Sequence, residues 1–274
     1  MRSTHRASRL TTAAALTLAL GLGAAPAAGA SPLADTADKV GKVGGQGARP
    51  AADPDDGGWE GEGGLSLNAS DNAQVNAFIE RARQAERTIT PQVRAAARAS
   101  DAELVGLNHR LKSPDSLKRK VATSLKEDPR QNVNDAIARI NDSVRYTFQW
   151  RDEQYSTGVT VASHLLAAWG NTTTKWSNTW ARAKGYKAIN SAWRAADSGH
   201  LYEIQFHTPA SKKAQEDTHK LYEEQRLPDT TPERAEELQR QQDAIFAAVP
   251  VPPGAPELTA PAAAPGAVRG GAAA

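Results

Sequence analysis

The stretch from Leu201 to Thr208, Leu-Tyr-Glu-Ile-Gln-Phe-His-Thr, constrains this chain more than any other. Tyr202, Ile204 and Phe206 alternate with Glu203, Gln205 and His207, a period of two that a strand satisfies and a helix does not. One face is apolar and must be covered. The other lines up a carboxylate, an amide and an imidazole. A turn at Asp197-Ser198-Gly199 precedes this strand. Before the turn, Ile189 and Trp193 fall on one parity and Tyr186, Asn190 and Arg194 on the other, so a second strand runs from Lys187 to Trp193. Two such strands side by side make either a ligand floor or a solvated outer face, and periodicity alone leaves both open.

The alternation recurs upstream, where Val144, Tyr146, Phe148 and Trp150 interleave with Arg145, Thr147, Gln149 and Arg151. Asp142 stands at the mouth of that strand. Further upstream, Ser113 and Pro114 form an N-cap and first-turn proline for a helix that carries Leu117, Val121 and Leu125 as its buried stripe. Ser116 and Lys120 share another face of it. With Arg110 and Lys112 just before the helix start, where free amides and the dipole favour anions, the segment suits a polyphosphate; an ordinary capped helix with a basic surface is the alternative.

Helices are also predicted over Asp71–Arg87 (Val75, Phe78, Ile79 and Ala82 inward), from Thr90-Pro91, from a Ser100/Glu103 capping box, over Gln154–Trp169 (Val161, Leu165 and Ala168 inward), over Ser211–Arg226 and over Thr231–Phe246. Lys175, Arg182 and Lys184 fall in what reads as a loop between the fourth of these and the Lys187 strand. The pattern of strands and helices gives an α+β fold, a mixed β-sheet flanked by helices.

Residues 1–30 read as a secretory signal, with Arg2, His5, Arg6 and Arg9 ahead of an Ala/Leu-rich core and Ala28-Gly29-Ala30 as the cleavage site. The apolar core is too short to span a bilayer, so the mature protein is expected to be secreted and extracellular, without a membrane partner. The chain has no cysteine, so its core must hold without disulfides. Three of the 33 basic residues lie in the leader, leaving 30 against 31 acidic ones. That balance argues against binding a bulk polyanion, so no stable nucleic-acid partner is expected and any affinity for nucleotides must be local. Residues 31–68 and 249–274, rich in Gly, Ala and Pro, are expected to be a disordered linker or pro-segment and a disordered tail. Residues 69–248 then make one domain.

Taken in order, Arg110-x-Lys112-Ser113-x-x-Ser116-x-x-x-Lys120, Gly185-Tyr186-Lys187-Ala188-Ile189-Asn190, Glu203-Ile204-Gln205-Phe206-His207-Thr208, and Ala214-Gln215-Glu216 with His219 and Tyr222 resemble the synthetase domain of the RelA/SpoT family. The resemblance covers about residues 108–226 and implies the family's nucleotidyltransferase-like fold. It implies transfer of the β,γ-pyrophosphoryl group of ATP to the 3′-hydroxyl of a nucleotide, with release of AMP. In that reading Arg110, Lys112, Ser113, Ser116, Lys120 and Arg145 bind ATP, the two arginines flanking the adenine. Asp142 and Glu203 hold magnesium, with manganese or cobalt as substitutes, and Glu203 activates the hydroxyl. Asp135 and Asp152 are the alternatives to Asp142, because the Asp-to-Arg interval is shorter here than in the family. Tyr186, Asn190, Gln205, His207 and Lys184 would bind the acceptor, Tyr186 by stacking on its base.

Asn190 and His207 replace the family's usual His and Arg, which implies a looser choice of acceptor. No hydrolase or regulatory domain is expected. With its leader, the chain is most similar in type to the secreted ATP:nucleotide 3′-pyrophosphokinases, and is expected to act as a monomer on ATP and purine nucleotides. An exported toxin of the same fold and a non-enzymatic nucleotide-binding module are the competing readings.

Overall fold

The computed structural model describes residues 57–225, 227 and 229–262. The predicted leader lies outside them, as does most of the predicted linker. Where the linker was to end, however, there is structure: β1 (Trp59–Gly61) and β2 (Leu65–Leu67) form an antiparallel pair. Leu67 is 1% exposed in a cluster with Val75, Phe78, Leu117 and Val133, and burial of these few side chains orders the pair.

The long helix α1 (Ala69–Ala99) replaces the two helices expected from Asp71 to Pro91 and beyond. Pro91 lies inside it. An internal proline costs about 3 kcal/mol, but Ile89, Val93, Ala96 and Ala97 continue the buried stripe past it. Full burial of Ile89 and Val93 alone is worth roughly 1.5–3 kcal/mol each, so the helix runs on. The Ser100 hydroxyl does not start a third helix. It closes α1, donating to the carbonyls of Ala96 (2.8 Å) and Ala97 (3.2 Å), and Glu103 enters β3 (Glu103–Val105).

After a 3-10 turn come α2 (Pro114–Glu127), α3 (Val133–Ala138), β4 (Arg145–Gln149), α4 (Asp152–Ala168), β5 (Thr172–Asn178), β6 (Ile189–Arg194), β7 (Leu201–His207), α5 (Pro209–Asp217), α6 (His219–Gln225) and α7 (Pro232–Ala247). Ser113 caps α2 as expected, accepting from the Ser116 amide at 3.2 Å. Ser113→Ala is expected to lower stability by about 1 kcal/mol, read as a shift in the urea midpoint with an unchanged slope.

Five strands make one mixed sheet in the order β3-β4-β7-β6-β5, with β4 and β7 parallel and the other pairs antiparallel. The fold is therefore α+β with a mixed sheet flanked by helices. Val144, Tyr146, Phe148, Trp193, Tyr202, Ile204 and Phe206 fill the core between the sheet, α1 and α4. The face of α4 is rotated from the expected one: Tyr155, Val159, Ala162 and Leu166 are buried, whereas Ala168 is exposed. Tyr155 and Trp150 set that rotation. The Tyr155 hydroxyl donates to the Phe206 carbonyl at 2.9 Å, and Trp150 lies so close to Gly158 that a Cβ there would meet its ring nitrogen at 2.3 Å.

Of the cations expected in a loop after α4, Lys175 lies instead in a strand, β5, with a bulge between Thr173 and Lys175, whereas Arg182 and Lys184 lie in the connection from β5 to β6. The polar composition of β5 hides it. Its cover comes from the predicted tail, which is packed as far as Pro261: Trp176 Nε1 donates to the Leu258 carbonyl (3.2 Å) and Asn178 Nδ2 to that of Ala255 (2.8 Å), and Ala255 is fully buried. No helix among the described residues is long and apolar enough to cross a membrane.

Candidate active site

Register builds the site. Arg145 on β4 pairs with Glu203 on β7, Glu203 with Ala192 on β6, and Ala192 with Lys175 on β5. The next row is Thr147, Gln205, Asn190 and Ser177. Residues paired in register point to the same face, so one polar face carries Glu203, Gln205, Arg145, Asn190 and Lys175, brought together from the four strands β4, β5, β6 and β7.

At the entrance to β4, Asp142 is 2% exposed and held by two lysines. Lys112 Nζ donates to one carboxylate oxygen at 2.9 Å and Lys120 Nζ to the other at 2.8 Å. Burial alone would raise the Asp142 carboxyl. The two ammonium groups outweigh that and hold it at about 2. Lys112 is itself lowered, because loss of solvent outweighs the attraction of Asp142. The α2 cap and the bridge between Leu111 and Val144 bring both lysines here. Asp135 instead serves the start of α3, where it accepts from Asn132, and Asp152 begins α4.

Glu203 shows the opposite behaviour. It is 6% exposed and its carboxyl is raised above the usual range by burial, with the Asp142 charge adding to the rise and Arg145 opposing it. Gln205 Nε2 hydrogen-bonds its Oε1. One carboxylate is thus fixed as an anion, and its neighbour is biased toward holding a proton.

The residues expected at the acceptor form a relay. Gly185, at φ +78°, makes the turn that presents Tyr186. The Tyr186 hydroxyl donates to Asn190 Oδ1 (3.0 Å) and meets His207 Nε2 at 2.9 Å, while His207 Nδ1 meets the Ser211 hydroxyl at 2.9 Å. Since the phenol has already given its proton to Asn190, Nε2 is the donor to it and Nδ1 the acceptor from Ser211. His207 is 0% exposed, and burial, then the Lys212 and Arg145 charges, push its pKa well below the usual histidine value. It is neutral with both nitrogens committed. His207 therefore ties Tyr186 of the β5–β6 connection to Ser211 of α5.

Other expected residues are placed differently. Arg110 takes Glu86 of α1 as its partner through Nε, and Glu86 also accepts from Thr90, whose hydroxyl lies 2.7 Å from that of Tyr146. Tyr146 and Arg145 are adjacent in a strand and face opposite ways, so Arg110 is tied to the α1 side of the sheet while Arg145 lies on the polar face. Ser113 donates to Ser116 at 2.8 Å at the α2 start. Lys184 is exposed in the connection between β5 and β6.

Sequence reasoning missed Glu86, Ser211, Lys212 and Phe246. The Phe246 ring of α7 meets Tyr186 edge to face at 5.6 Å, so the predicted closing helix forms a wall of the site. Only the direct sequel of His207 into a capped helix, Thr208-Pro209, hinted that Ser211 would return to His207.

No family model and no curated protein matches the chain. Solved structures similar to it include the type VI effector Tas1 in complex with its immunity protein, at 19% identity, covering 62% of this chain and 93% of that one with a TM-score of 0.43. Small alarmone synthetase 1 from Bacillus subtilis bound to its product pppGpp is similar at 19% identity, with coverage of 64% and 92% and a TM-score of 0.43. A GTP pyrophosphokinase family protein from Streptococcus pneumoniae follows at 15% identity, with coverage of 61% and 84% and a TM-score of 0.38.

Proposed function

We propose that this protein moves the β,γ-pyrophosphoryl group of ATP to the 3′-hydroxyl of a purine nucleotide. The observation that carries this reading is the pair of neighbouring carboxylates with opposed acidities, Asp142 lowered and Glu203 raised, ringed by Lys112, Lys120 and Arg145. Carboxylates driven apart in this way mark separate acid-base and electrostatic roles. A module that merely bound nucleotides would gain nothing from burying two carboxylates where phosphates must come. The ordered motifs shared with the RelA/SpoT synthetases support the same conclusion.

Glu203 takes the proton of the acceptor 3′-hydroxyl. That oxygen forms a bond to the β-phosphorus as the bond from the β-phosphorus to the α,β-bridging oxygen breaks, and AMP leaves with that oxygen. Lys112 and Lys120 exchange Asp142 for phosphate oxygens, so the cations that neutralise Asp142 in the free protein stabilise the charge on the transferring group. Asp142, released from them, and Glu203 offer oxygen donors of the kind magnesium or manganese prefers. Such ions take one or two protein carboxylates and complete their shell with water and phosphate. A divalent ion held there would offset charge on the phosphates.

The reading is tested by incubating the protein with ATP, magnesium and, in turn, AMP, GDP and GTP, and resolving products by anion exchange with mass detection. AMP and a pyrophosphorylated acceptor, both lost on chelation, are expected. Nucleotide binding without AMP formation would overturn it. Export through the leader belongs to the same proposal, and a mature protein in culture supernatant beginning near Ser31 is its check.

Tyr186→Ala is expected to raise the acceptor KM at least about tenfold, the worth of one stacked base, with little change in the KM for ATP. Equal changes in both would place Tyr186 outside the acceptor pocket.

A further inference from the structure

Asp142 supplies carboxylate oxygens of the kind a divalent ion takes, yet in the free protein it is closed to one. Its side chain is 1% exposed, and each oxygen already accepts from an ammonium, Lys112 Nζ at 2.9 Å and Lys120 Nζ at 2.8 Å. A cation approaching this carboxylate meets two positive charges against one negative, in surroundings where charge is poorly screened. A polyphosphate meets the reverse. It is attracted by both ammonium groups, and it offers them more charge and more acceptor oxygens than one carboxylate does.

The two lysines are not held alike. Lys112 is fixed beside Asp142 by the backbone, since its amide donates to the Ser143 carbonyl at 3.0 Å and the adjacent Leu111 bridges to Val144. Its side chain is 16% exposed. Lys120 comes from the second turn of α2 and reaches Asp142 only through its side chain, which is 39% exposed. That ammonium can leave for a phosphate oxygen while the backbone stays in place.

The geometry points to a gate: Lys120 bars a divalent ion from Asp142 in the free protein and admits it when the phosphates of ATP draw the ammonium away, so the ion enters with or after the nucleotide and never before it. The inference rests on the reading above that ATP phosphates bind at Lys112 and Lys120. It adds an order of events, fixed by which partner Lys120 holds.

The test needs no turnover. Mn2+ is titrated into the protein without nucleotide, and the bound ion is read from loss of the paramagnetic resonance signal of the free ion. Lys120→Met, which keeps the aliphatic stem, is expected to bind Mn2+ at least about tenfold more tightly than the wild type, because one of the two opposing charges is gone. Lys118→Met removes the same charge from the same helix but leaves both contacts to Asp142 intact, and should stay within about twofold of the wild type, as expected for a charge acting through solvent. With an ATP analogue carrying a methylene in place of the α,β-bridging oxygen, which cannot release AMP, the wild type should take up Mn2+ beyond what the analogue binds alone. Equal Mn2+ affinity in the wild type and Lys120→Met, equal gains in the two lysine variants, or no added uptake with the analogue would each overturn the gate. If the wild type forms no AMP from ATP yet only Lys120→Met gains Mn2+ and the analogue promotes uptake, the gate stands and the transfer reaction falls. If AMP and a pyrophosphorylated acceptor form while the wild type alone binds Mn2+ as tightly as Lys120→Met, the reaction stands and the gate falls.

Discussion

Glu203→Gln is expected to lower pyrophosphoryl transfer by about a thousandfold, within the range for loss of a general base, and to make the protein more stable at neutral pH. The two effects share one cause. Glu203 is buried, and its carboxyl is raised by that burial and by Asp142, so the folded state binds this proton more tightly than the unfolded state does. Its contribution to stability is present below the ordinary carboxylate range and is lost as pH rises through the raised value. At neutral pH the wild type therefore holds a carboxylate in a place that favours the neutral form. Glutamine resembles the protonated acid and keeps an oxygen for Gln205. Thermal melts at several pH values should show the variant above the wild type near neutrality and the two converging in acid. A variant less stable than the wild type at neutral pH, or one that turns over at a near-normal rate, would remove Glu203 from the role of base.

Asp142→Asn should have the largest effect on folding. It leaves Lys112, largely buried, facing an amide that cannot balance its charge. Breaking one side of a buried pair costs about 3–5 kcal/mol. Lys120 adds less, because its side chain is 39% exposed and water takes over part of the loss. Here the sign reverses. Asp142 is depressed to about 2, so its stabilisation is complete above the ordinary carboxylate range and fades as pH falls through that value. The gap between wild type and variant, read from urea denaturation, should be widest near neutrality and close toward pH of about 2. A neutral-pH difference below about 1 kcal/mol would mean that Asp142 behaves as an exposed pair and does not organise the cluster. In the folded variant, the KM for ATP should rise as well, since Lys112 and Lys120 lose the group that aligns them.

Much of this site was legible because it depends on short-range periodicity. The alternation at Tyr202–His207 placed Glu203 and Gln205 on one face, the spacing of Ser116 and Lys120 placed both on one side of a helix, and Ser113-Pro114 located that helix start. What failed did so where a distant partner outweighed a local signal. Thr90-Pro91 carries the local signal of a helix start, but burial of Ile89 and Val93 carries α1 through it. Ser100 has the same hydroxyl at either end of a helix, and the structure spends it on the C-terminus of α1. The polar β5 escaped notice because its strand identity comes from pairing with β6 and from cover by residues 255–258, far along the chain.

The functional residues divide in the same way. Sequence by itself determined which groups are available and which face each takes, since side-chain direction in a strand or helix follows from its period. It could not determine their state. That Glu203 is biased toward its proton, that Asp142 is clamped as an anion and that His207 is a neutral spacer for Tyr186 all depend on burial and on charges contributed by residues tens of positions away. Only the tertiary structure decided these, because the free energy of a charge is set by the solvent it has lost and the partners it has met.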